Sequence, residues 1–287
     1  MRAGTVVIVP GLGSTPGEWD AVADALSGEV AVLVVDPADA PPLRTRADWT
    51  PEAVAARLAA RVAAAARPLL LVGHSSGGLH VQALLYADGA IGARSALAAG
   101  PDAPGTDTGP DCAGAVLVDA SHEESVQLAP AALSDLGRTV AELVLATGVT
   151  TLVGPWLRAL GVWATSVRRR DRMTPAAVRA VYASRAWATT TLDAWFGHGP
   201  LQAGVLEWQR ERGVPGVPVR LLVGASGTGG GRARWTAVQR DLADRLGAPE
   251  PLLLDDAGHL VALDRPDAVV DAVRALLLDL DGAPAHS

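Results

Sequence analysis

The sequence predicts an α/β fold, a doubly wound and mostly parallel sheet with an inserted helical lid, and three observations predict it. Short apolar runs bounded by Gly, Pro or Asp recur at 5–9, 30–35, 68–72, 115–118, 217–223 and 251–254, the pattern of strands buried on both faces. Alanine-rich segments with helical spacing separate most of them, and alternation of the two kinds implies a parallel sheet between helix layers. One long stretch, 121–215, breaks the rhythm with helical segments and no convincing strand, as an insertion would.

Each element carries its own signal. In Thr50-Pro51-Glu52, threonine caps a helix expected over 51–66 and proline takes its first position; Thr174-Pro175 opens another within the insertion. Pro, Gly and Asp dominate 99–112, which reads as a mobile surface loop. The core is expected to comprise 1–120 and 216–287, with 121–215 as a cap. That cap holds Trp156, Trp163, Trp187, Trp195 and Trp208, expected mostly in its core with one or two at a pocket.

Composition narrows the chemistry. The chain has 287 residues and a net charge of -7, which argues against a duplex nucleic-acid partner, since that calls for a basic face. Every one of its 24 basic residues is arginine. Without lysine there is no Schiff-base lysine and no P-loop lysine, so Gly224–Gly231 reads as a flexible loop. Cys112 is the lone cysteine, which excludes an internal disulfide or a cysteine zinc cluster. No apolar run approaches the roughly 18 residues a membrane span requires, and the N-terminus lacks signal-peptide regions. The expectation is a soluble, cytoplasmic protein with a small-molecule substrate, no cofactor or metal, and neither nucleic acid nor membrane as partner. The run Arg168-Arg169-Arg170-Asp171-Arg172 reads as a solvated face, with an anionic carrier protein as the weaker alternative.

The chemistry concentrates at Gly73-His74-Ser75-Ser76-Gly77, between an apolar strand and a helical segment. A nucleophile on so tight a turn needs flanking glycines, because side chains there would strike the adjoining strand and helix. Ser75 is the candidate nucleophile. A serine at its free pKa is a poor one and needs a base. Of six histidines, His259 is best placed, in a short loop after the last strand.

These residues bring out a family resemblance. The chain resembles the α/β-hydrolase superfamily over nearly its whole length, in Pro10-Gly11-Leu12-Gly13, the Gly73–Gly77 elbow, Val116–His122, and Asp256-Ala257-Gly258-His259 with Asp264-Arg265-Pro266-Asp267. The resemblance implies Ser75 as nucleophile, His259 as base, and an oxyanion hole from the backbone N–H groups of Leu12 and Ser76. Two departures stand out: the family's first strands have no counterpart, and the usual His-Gly is Pro10-Gly11. Most relatives carry the acid after the strand matching 217–223, but no carboxylate stands there. Some carry it one strand earlier, which points to Asp119; the alternative is that Asp119 only ties down the first turn of the insertion. Asp255 and Asp256 are poorer candidates.

The implied activity is hydrolysis of an ester, thioester or lactone of a small, largely apolar substrate through an acyl-enzyme. One alternative keeps the site for non-hydrolytic acyl transfer or cyclisation in secondary metabolism. A rival of another class is a dinucleotide-binding oxidoreductase, since Gly11-Leu12-Gly13 follows a strand and Asp36 ends the next. Pro16 occupies its third glycine position, and Ser75 and His259 would go unexplained.

Overall fold

The computed structural model describes residues 4–39, 43–87, 111–122, 131–226 and 230–282. The six apolar runs form β1 (Thr5–Val9), β2 (Ala31–Val34), β3 (Leu69–His74), β4 (Cys112–Val118), β5 (Val219–Gly224) and β6 (Leu252–Leu254). They make one sheet in the order β2-β1-β3-β4-β5-β6, parallel at every pairing. After β2 the chain crosses back to the other side of β1. The order therefore reverses between β1 and β3, and a crevice opens at their carboxyl ends. The Gly11 turn leaves one of those ends and Ser75 the other.

Alternation along the strands feeds two core layers. Val6 and Ile8 pack with Leu70, Val72, Trp19, Val22, Leu26, Val269 and Val273 under α1 (Asp20–Ser27) and α10 (Pro266–Gly282). Val7 and Val9 pack on the opposite face with Leu69, Leu71, Val54, Leu58, Leu79 and Leu242, from α2 (Pro51–Arg61), α3 (helical over 77–87) and α8 (Gly230–Arg245). Both faces are covered, as the apolar runs require. Thr50 caps α2 by accepting from the Ala53 N–H at 3.3 Å. The helix stops at Arg61 rather than near 66, because the chain must turn to bring Leu69 into register with Thr5.

Between β4 and β5 lie α4 (Ala131–Ala146), α5 (Thr150–Thr165), α6 (Pro175–Tyr182) and α7 (Arg185–Arg212), with no strand among the described residues. Residues 99–110 of the expected surface loop, 123–130 of the insertion and 227–229 of the glycine run lie outside the described residues. The cap tryptophans correct the sequence expectation. Trp208 is buried and Trp187 lines a cavity, whereas Trp156, Trp163 and Trp195 are exposed. Helical spacing shows which side chains share a face but not whether that face turns inward.

Two contacts help to fix the insertion to the core. A Cβ on Gly197 of α7 would lie 1.8 Å from the Trp49 ring, so only glycine lets these elements approach. The buried Asp264, ending α9 (Val261–Asp264), accepts from Ser166 Oγ at 2.6 Å and Arg168 N at 3.0 Å on one oxygen. Its other oxygen accepts from Val167 N at 2.9 Å and Gly258 N at 2.8 Å. Burial raises its pKa, but these donors outweigh burial and leave it below the usual carboxylate value.

Gly197→Ala should destabilise the protein by about 2 kcal/mol through overpacking against Trp49, read as a lower melting temperature. Asp264→Asn should cost about 3 kcal/mol, since an amide NH₂ would face backbone donors. Because its folded pKa is lowered, the carboxylate stabilises fully above its unfolded value near 4 and the contribution fades as pH falls through the folded value. Below about pH 4 the wild-type advantage over Asp264→Asn in chemical denaturation should therefore shrink.

Candidate active site

The turn after β3 holds Ser75 at φ +50°, a left-handed conformation costly for a residue with a side chain. Crowding imposes it. A Cβ on Gly77 would lie 2.2 Å from the Val9 carbonyl oxygen, and one on Gly73 2.8 Å from the Gly78 Cα. The turn is pinned by Ser75 N–H donating to the Val118 carbonyl at 3.2 Å, and by Ser121 and Gly78 N–H donating to the Ser75 carbonyl at 2.9 and 3.0 Å.

Three residues far apart in sequence meet at this edge. His259 Nε2 lies 3.0 Å from Ser75 Oγ, and His259 Nδ1 lies 2.6 Å from Asp119 Oδ2. An ionised carboxylate can only accept, so Nδ1 carries the proton and Nε2 presents its lone pair to the hydroxyl. The Asp119 side chain is 1 % exposed, against 33 % for His259. Asp119 also has positive φ, +43°. Its second oxygen accepts from Gly224 N at 3.0 Å and Trp235 Nε1 at 2.8 Å. The end of β5 thus supplies an N–H to a carboxylate arriving from β4. No bond from that carboxylate to the first turn of the insertion occurs among the described residues. Asp256 pairs instead with Arg265 at 2.7 Å.

Leu12 and Ser76 both line a cavity of about 290 Å³ between the sheet edge and the insertion. Neither backbone N–H donates to a backbone carbonyl among the described residues. The loop bearing Leu12 is braced from the insertion. Trp187 Nε1 donates to the Gly13 carbonyl at 2.9 Å. Glu18 accepts from Thr15 N at 3.1 Å and from the Tyr182 hydroxyl at 2.6 Å, and pairs with Arg158 at 2.9 Å. Arg158 in turn donates to Asp171 at 2.6 Å. Burial works against the Arg158 charge, but these two carboxylates more than compensate and raise its pKa. Burial and the Glu18 charge together raise that of Tyr182, which therefore stays a donor.

Sequence reasoning missed several contributors. His74 is buried beside His259, and its Nε2–H donates to the His259 carbonyl at 2.9 Å, fixing the backbone at that residue. Burial first, then the neighbouring His259, lowers its pKa to about 4, so it stays neutral. His74 stood in plain view within the elbow, but its direction could not be read. Trp235, on α8, gave no signal at all. Among the described residues no group of histidine, cysteine and carboxylate side chains could hold a metal ion.

Residues 6–272 match the alpha/beta hydrolase family. A candidate epoxide hydrolase from Pseudomonas aeruginosa superposes with TM-score 0.66 at 16% identity, covering 97% of this chain and 90% of that one. For the epoxide hydrolase CorEH the values are 0.64, 15%, 97% and 93%. A candidate lipase from Acinetobacter baumannii gives 0.58, 16%, 97% and 85%. At such identities these likenesses concern the fold alone. No curated protein matches the sequence. With a family match spanning nearly the whole chain and a parallel six-stranded sheet, the protein belongs to the alpha/beta hydrolase family.

Proposed function

We propose that the protein is a serine hydrolase that cleaves an ester, thioester or lactone of a small, largely apolar substrate through an acyl-enzyme. The observation that carries this reading is the unbroken relay from Ser75 Oγ through both nitrogens of His259 to Asp119, at 3.0 and 2.6 Å. His259 Nε2 takes the hydroxyl proton as Oγ bonds to the carbonyl carbon, and Asp119 holds the ring and stabilises the imidazolium. The Leu12 and Ser76 amides receive the oxyanion, each worth about 3 kcal/mol. On collapse the bond to the leaving group breaks and His259 returns the proton to it. Water then attacks the acyl carbon with His259 as base, and Ser75 departs with a proton. These steps call for no cofactor.

Size and lining support the substrate class. The wall of the cavity of about 290 Å³ is mostly apolar, with Leu43, Trp49, Val54, Leu58 and Trp187, but Asp36, Arg57, Arg61 and Asp193 also line it, and the insertion (121–215) acts as a lid. The identity of the nucleophile weighs against epoxide opening. A serine attacking an epoxide would leave an ether, which offers water no carbonyl, whereas an acylated serine offers one.

A fluorophosphonate should label Ser75 in the folded protein and spare Ser75→Ala; labelling elsewhere alone would dismiss the nucleophile. Asp119→Asn should lower kcat on p-nitrophenyl esters about 10³- to 10⁴-fold with little change in melting temperature, and near-normal turnover would move the acid. Across esters of increasing acyl length, kcat/KM should rise and then collapse once the chain outgrows the cavity.

A further inference from the structure

The helix α5 is built inside out. Its one charged residue, Arg158, is buried and turned toward Glu18 and Asp171. Leu152, Trp156, Leu160 and Trp163 form a stripe along the outer side, 57 to 77 % exposed. On α4 the stripe Leu136, Val140 and Leu143 is 52 to 66 % exposed. The chain bends by 114° between the two helices; no single described helix is long and apolar enough to cross a membrane, and only this bent pair together reaches that length and composition among the described residues. So large an apolar surface on one element marks a contact with something else.

We propose that this ridge lies in the surface of an anionic lipid bilayer. Charge selects that occupant. Arg168, Arg169 and Arg170 follow α5 directly and are exposed, on a chain whose net charge is -7. The Arg169 guanidinium lies 5.1 Å from the centre of the Trp163 ring, so cation and indole sit together. Indoles favour the headgroup level of a bilayer, and cations beside an apolar stripe favour acidic headgroups. The described part of the ridge offers one exposed carboxylate, Glu142, lying 3.9 Å from Arg138 of the same helix. A second copy meeting the ridge symmetrically would cover the apolar residues yet bring little negative charge to the arginines. The expectation of no membrane partner rested on the want of a spanning segment, which says nothing about a helix lying in the interface plane.

The test is flotation with vesicles of phosphatidylcholine alone or mixed with phosphatidylglycerol, with tryptophan emission read alongside. The full chain should float with the anionic vesicles, weaken as salt rises, and shift its emission to the blue. Trp156→Gln with Leu160→Gln should reduce binding at least about tenfold. Arg168→Gln with Arg170→Gln should reduce it about fivefold per arginine, on anionic vesicles only. Unchanged melting temperatures and unchanged hydrolysis of a soluble ester would show that both variants remain folded, and keep this result separate from the catalytic reading. No flotation, equal binding to neutral vesicles, or a lipid-free dimer dissolved by the Trp156/Leu160 pair would overturn the proposal.

Discussion

A carboxylate sealed from water must be surrounded by donors, and much of this site follows from how Asp119 meets that demand. Its two oxygens receive an N–H from the end of β5, an indole N–H from α8 and an imidazole N–H from the loop after β6. A buried charge lacking these partners would cost several kcal/mol. The positive φ of Asp119 turns the side chain sideways off β4 toward the neighbouring strand. That sideways reach explains how the carboxylate can arise from β4 while the imidazole it holds comes from beyond β6.

Crowding does for Ser75 what desolvation does for Asp119. Gly73 and Gly77 press the elbow against β1 and its own helix, leaving Ser75 in a left-handed conformation. The parallel sheet supplies the rest, since its reversal between β1 and β3 sets the Gly11 turn beside the elbow.

Much of this was legible in the sequence, and the illegible part has a physical cause. Strands betray themselves through uninterrupted apolar runs, so all six were visible within a few residues. Ser75 and His259 announced themselves through local context, a constrained turn and a loop after the last strand. Asp119 required the family resemblance, because nothing local separates it from other aspartates at strand ends. Trp235 and His74 were beyond reach, their roles depending on distances across the sheet. The cap tryptophans misled: an indole counts as core by composition, yet Trp156 and Trp163 face out because Arg158 claims the inner side of α5.

Glu18 has a consequence for how molecules reach and leave the interior. It joins Thr15 of the first turn to Tyr182 and Arg158 of the insertion, so swinging that end outward would break a buried ion pair and a buried hydrogen bond together. Helix α7 is fastened too, with Gln202 donating to the His122 carbonyl and Gln209 to Gln82. By contrast α4 packs chiefly on α7, and its Arg138 pairs with Asp193 of that same helix. Among the described residues, then, α4 is held chiefly through α7, whereas the rest of the insertion is tied directly to the sheet edge.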